Sequence, residues 1–176
     1  MIEFGPLART AVLAGLVLAT TGGIAPAFAG PAETALLKSY EGNWKGSGPL
    51  VGADTEKVTC RMALTPGNGE KVNYAGRCAM AGANLSINGT LAYAEDNQRY
   101  EGAMTSNVNF SGVAVGQKTA GGGITFNLQS TGTDEGQNIQ INAGITLLPG
   151  TITVDFKATD LGNGKVVYAK VPFARS

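Results

Sequence analysis

The chain contains no histidine. That absence removes Ser-His-Asp and Cys-His nucleophile arrangements and any zinc site that relies on imidazole. Cysteine is scarce: Cys60 and Cys78 are the whole supply, too few to build a metal site without further ligands. Charge is sparse and balanced, with 13 basic and 13 acidic residues. A balanced chain has no net charge with which to attract nucleic acid or an anionic membrane. The expectation is therefore no nucleic-acid partner. A phosphate loop is also missing. The stretch Gly112-Val113-Ala114-Val115-Gly116-Gln117-Lys118-Thr119 has Gln117 where glycine is needed, and no strand-to-helix context follows. The carboxylate pairs Glu95-Asp96 and Asp134-Glu135 fall at turn signals, where a solvated role fits better than acid–base chemistry. No catalytic residue, no metal and no cofactor is expected, and the chain reads as a non-enzyme.

What the chain does have begins with a leader. Arg9 supplies a positive flank, Ala11–Ala19 is an uncharged apolar run, and Ala27-Phe28-Ala29 is a small-x-small cleavage site. Residues 1–29 thus read as a secretory signal peptide, with Gly30 opening the mature chain and export to a periplasm or the exterior as the destination. In an oxidising compartment an even pair of cysteines reads as one disulfide. Pairing about the turn Thr65-Pro66-Gly67-Asn68-Gly69 sets Cys60 opposite Cys78 on one face of a hairpin.

Residues 30–41 read as a short N-terminal helix, centred on Pro31–Tyr40. Pro31 suits a first turn, and Leu36, Leu37 and Tyr40 form an apolar stripe. From Asn43 the period changes from helical to two, and residues 42–176 read as a single β domain. Trp44, Gly46, Gly48 and Leu50 share a face. So do Val58, Cys60, Met62 and Leu64, and then Val72, Tyr74, Gly76, Cys78 and Met80. About ten such strands follow one another, joined by short turns such as Leu148-Pro149-Gly150-Thr151, a type II signature. This meander of strands with one apolar face each predicts an all-β antiparallel up-and-down β-barrel, closed so that no edge is left open. The last strand then lies beside the first, and Arg175, with the parity of Val171 and Phe173, falls over Trp44 as a structural closure.

The short helix followed by Gly42-Asn43-Trp44 and Lys45-Gly46-Ser47-Gly48 at the first strand resembles the calycin superfamily. That group includes lipocalins, fatty-acid-binding proteins and ten-stranded nitrobindin-type barrels. The resemblance implies a barrel with a cavity for an apolar ligand. The nitrobindin-type haem site would need a histidine, which this chain lacks. The early G-x-W and two cysteines are also similar to small exported barrels that inhibit bacterial metalloproteases. That likeness implies an N-terminal trunk near Gly30 to Lys38.

Several inward positions are glycine or alanine, which leaves volume that larger side chains would fill. The larger residues expected to line that space are Trp44, Met62, Tyr74, Met80, Tyr93, Tyr100, Met104 and Phe126. The function that follows is non-catalytic binding of a small apolar ligand inside the barrel. An interaction module such as a protease inhibitor is the alternative, and an outer-membrane barrel is the second. Aromatic girdles, expected of a membrane barrel, are lacking, so no stable membrane insertion is expected. No protein partner can be named from sequence.

Overall fold

The computed structural model describes residues 29–52, 56–80, 83–108, 110–134 and 137–176. The expected leader lies outside this range except for Ala29. Helix α1 spans Ala29–Lys38, ending two residues earlier than the apolar stripe suggested. Tyr40 is instead in the turn that follows. Ten strands then run in order: β1 Gly42–Val51, β2 Glu56–Pro66, β3 Val72–Met80, β4 Ala83–Ala94, β5 Arg99–Ser106, β6 Ser111–Lys118, β7 Ile124–Asp134, β8 Gln137–Leu148, β9 Thr151–Asp160 and β10 Val166–Arg175. Each pairs antiparallel with its neighbours, and β1 pairs with β10 to close the barrel.

Alternation along the strands explains the closure. In β3, Val72 and Tyr74 are buried while Asn73, Ala75 and Arg77 are exposed. One face per strand must leave water, and a closed sheet buries it without exposing unpaired backbone at an edge. Gly150, with φ 79°, takes the left-handed position that a type II turn reserves for glycine.

The connections β2–β3, β4–β5, β6–β7 and β8–β9 gather at one end, with the start of β1 and the end of β10. Helix α1 plugs that end. Leu37 is wholly buried and Tyr40 nearly so. Burying side chains of this size contributes about 1.5–3 kcal/mol each. The plug is also fastened by polar contacts. The Tyr40 hydroxyl donates to the Leu147 carbonyl on β8 at 3.2 Å, and Lys38 pairs with Glu70 at 2.7 Å. Glu33 accepts from the Tyr100 hydroxyl on β5 and from Lys118 Nζ at 2.9 Å.

The seam is locked at Trp44, opposite Arg175 in the register. The indole N–H donates to the Tyr40 carbonyl at 3.0 Å. The Arg175 guanidinium lies over the ring, 4.8 Å from its centroid. It also donates to the Ser39 carbonyl at 2.7 Å and the Glu41 carbonyl at 2.8 Å. Those carbonyls follow the helix and have no helical partner of their own to accept from. Gly42, with φ 140°, adopts a conformation that side chains rarely tolerate. A Cβ there would also sit 2.7 Å from Arg175 Nη1.

Two predictions follow from this end of the molecule. Arg175→Ala removes the ring contact and two charged hydrogen bonds. It should cost about 2–4 kcal/mol and shift Trp44 fluorescence, as thermal melts and emission spectra will show. The second concerns Glu33, whose carboxyl is held below its ordinary value of 4.5 by the Tyr100 hydroxyl first and by Lys118 second. A carboxyl with a lowered folded-state value stabilises fully above the unfolded value and loses that contribution as pH falls through the folded one. Glu33→Gln should therefore lower the melting temperature at neutral pH, by about 1 kcal/mol in free energy. The gap from wild type should shrink on acidification below about pH 4.

Candidate functional site

The other end of the barrel carries the connections β1–β2, β3–β4, β5–β6, β7–β8 and β9–β10. A cavity of about 290 Å³ occupies the interior towards this end. Leu50, Met80, Leu85, Val108, Phe110 and Ile139 lie at its mouth, all on or beside those connections. Deeper in, its wall is formed by Met62, Tyr74, Ile87, Met104, Ile145 and Phe156. The Cys60–Cys78 disulfide is part of the same wall. The two cysteines are register partners, with Cα atoms 4.0 Å apart.

The wall is almost wholly apolar. Arg61 borders the cavity, yet its position on β2 is exposed on the outside. Asn84 likewise falls at an exposed position. The Tyr74 hydroxyl is the inward polar group, and it already donates to the Ala103 carbonyl at 3.3 Å. Burial pushes its phenol well above the ordinary value, so it stays neutral. No group of three or more metal-ligating side chains occurs among the described residues.

The glycines explain where the volume comes from. A Cβ at Gly46 would meet the Pro172 carbonyl, at Gly48 the Lys170 carbonyl, and at Gly89 the Ala103 carbonyl. These three allow strands to approach closely. Leu91 fills the hollow at Gly102 and Leu128 the one at Gly112. Gly76 differs. The nearest atoms to a Cβ there are backbone oxygens of Ile87 and Arg61 at 3.8 and 3.9 Å. Of these inward positions, Gly76 is the one whose missing side chain leaves empty space on the cavity wall.

The residues expected to line a ligand space divide into two groups. Met62, Tyr74, Met80 and Met104 border the cavity. Trp44, Tyr93, Tyr100 and Phe126 do not, because they pack the closed half under α1. Tyr100 meets Tyr93 and Phe126 edge to face, with centroids 5.1 and 6.2 Å away. Period-2 alternation places a side chain inside the barrel but is silent about height along its axis, and height separates the two groups. The contribution of β8 and β9, through residues such as Ile139, Ile145 and Phe156, is not among the expected lining. Their alternation was visible. Their place on the same cavity wall as Met62 was not. Val108, at the mouth, is 43% exposed because it sits in the β5–β6 connection rather than on a strand.

A larger hollow of about 560 Å³ lies on the outside of β7–β9, over Gly144. Its lining includes Thr125, Asn127, Asn142, Asp155 and Lys157. Asp155 is already engaged by the Tyr168 hydroxyl at 3.2 Å and by Lys170 at 3.6 Å. It is a solvated surface depression and not an enclosed site.

No family model matches the chain, and no curated protein does. Solved structures do match in fold. One is Rv2717c from M. tuberculosis, at 14% identity and a TM-score of 0.65, covering 83% of this chain and 98% of that one. Another is the S-type phycobiliprotein lyase CPES from Guillardia theta, at 11% identity and a TM-score of 0.51, covering 82% and 92%. The likeness is one of architecture across nearly the whole barrel.

The disulfide closes a loop spanning 18 residues. Replacing both Cys60 and Cys78 with alanine should cost about 3 kcal/mol, mainly by freeing the unfolded chain. Denaturant unfolding of the double variant against the oxidised protein measures this.

Proposed function

We propose that the protein is a non-catalytic carrier or receptor for a small, uncharged, mainly apolar molecule held inside the barrel. One observation carries the reading. A largely apolar space of about 290 Å³ opens at the end away from the helix. Ligand pockets for drug-sized molecules run from about 300 to 1,000 Å³, so this one suits a small ligand. An ionised head group buried here would find no charged partner on the wall, and an unpaired buried charge is very costly. Neutral ligands are therefore favoured over carboxylates. Met62, Met80 and Met104 supply flexible, polarisable contacts that adapt to ligand shape.

The calycin likeness supports the same reading, since apolar binding in a barrel is what that resemblance implies. A ligand-handling role also accords with the likeness to a protein described as a lyase of phycobiliproteins. We place the protein in an exported, oxidising compartment, and the disulfide supports that placement. The inhibitor alternative gains little from the geometry. Residues 30–38 would be its trunk, but the segment forms most of a helix docked on the barrel with Leu37 wholly buried. The outer-membrane alternative requires an apolar band on the outside. Here exposed outward positions include Lys45, Arg61 and Arg77.

The test uses N-phenyl-1-naphthylamine, a neutral apolar dye. Saturable fluorescence enhancement is expected with the wild-type protein, with fatty acids competing less well than neutral alcohols of equal length. Gly76→Leu fills the space on the wall and should abolish dye binding while leaving the melting temperature within a few degrees of wild type. Equal dye binding by Gly76→Leu and wild type would refute the cavity as the site.

A further inference from the structure

The balanced total charge conceals a segregated surface. The register aligns Lys45 on β1 with Arg61 on β2, and Arg61 with Arg77 on β3. All three are exposed. Adjacent strands lie about 4.8 Å apart, so the three cations form one row about 10 Å long across the sheet. Lys57, opposite Pro49, adds a fourth exposed cation on the same face towards the mouth.

Among the described residues, no carboxylate stands at an outward position of β1–β4. The other outward positions of β1–β4 carry Asn, Ser, Thr, Ala, Pro and Val. Glu56 falls on the opposite parity, across from Leu50. Glu70, in the turn at the closed end, is paired with Lys38. None of the four cations has an ion-pair partner among the described residues, although Lys38, Arg99, Lys118 and Lys170 each have one. Like charges directly opposite one another in a sheet are destabilising. Arg61 bears that cost from both sides.

We propose that this face docks the protein on an anionic lipid bilayer. Two arginines in the row can each grip a phosphate oxygen pair. Among the described outward positions of β1–β4 there is no aromatic side chain on which nucleic-acid bases could stack; the neighbouring exposed ring, Tyr168 on β10 beside Val51, donates its hydroxyl to Asp155. The small residues of the face allow a flat, peripheral approach and offer nothing large to insert. Lys57 and Val51, which is 46% exposed, adjoin at the β1–β2 end of the mouth, so docking brings the mouth close to the bilayer. The choice of a bilayer over another polyanion rests on the apolar-ligand reading, because a bilayer is a reservoir for such a molecule. The basic row itself does not rest on that reading.

The experiment is co-sedimentation with vesicles of phosphatidylcholine, with and without phosphatidylglycerol. Binding is expected only to the anionic vesicles and should be released at about 0.5 M salt, where screening is short-ranged. The triple variant Lys45→Gln, Lys57→Gln, Arg77→Gln should bind them on the order of 100-fold more weakly, with dye binding unchanged. Arg61→Gln alone should raise the melting temperature by relieving repulsion in the row. Equal binding to both vesicle types, no binding to either, or anionic binding unchanged in the triple variant would overturn the proposal. So would a drop in melting temperature for Arg61→Gln, or capture by heparin or a DNA duplex without capture by vesicles. Vesicle binding without dye binding would support the face and refute the cavity reading. Dye binding without vesicle binding would refute the face alone.

Discussion

Barrel closure depends on what happens at Trp44. A ten-stranded sheet left open would present two unpaired edges and half a core to water. Here the edges meet, and the meeting point is fastened by one side chain from each. Arg175 covers the indole and donates to the Ser39 and Glu41 carbonyls, so the last strand is tied to the first and to the end of α1. The helix is too short to persist alone. Its stability is borrowed from the barrel end that it plugs, through Leu37, Tyr40 and the Glu33–Tyr100 contact. Strand closure and helix docking therefore share contacts at Trp44, whose indole N–H holds the turn after α1 and whose ring carries Arg175.

That arrangement divides the interior into two halves with different physics. Beneath the helix, Trp44, Tyr100 and Phe126 are each at most 1% exposed, and the large rings fill the space. Towards the other end the packing material changes to methionine, alanine and the open position at Gly76. A rigid, filled half holds the strands in register. The second half can then keep a void, which is costly in an ordinary core and is recovered when a ligand supplies the missing contacts.

The outer surface shows a parallel division. On β5, β7 and β9 the charges and polar groups answer one another, as Arg99 does with Glu101 and Thr125 with Thr146. On β1–β3 the cations stand together, with no ion-pair partner among the described residues. Four cations on one face of a neutral molecule produce a local field that the total charge does not reveal.

The sequence by itself determined the architecture. Alternation of period two, turn residues at short intervals, and an apolar face on every strand leave a closed meander as the arrangement that buries each face once. The pairing of Cys60 with Cys78 and the parity of Arg175 with Trp44 follow from the same period, because side-chain direction in a strand is a local property. What only the tertiary structure decided is position around and along the barrel. Whether Tyr74 or Tyr100 faces the cavity depends on height along the axis, and whether Lys45, Arg61 and Arg77 form a row depends on register between strands. Gly76 leaves space where Gly48 does not because a neighbouring backbone oxygen fills one site and not the other. These are relations between residues distant in the chain, and a local pattern carries no information about them until the strands are paired.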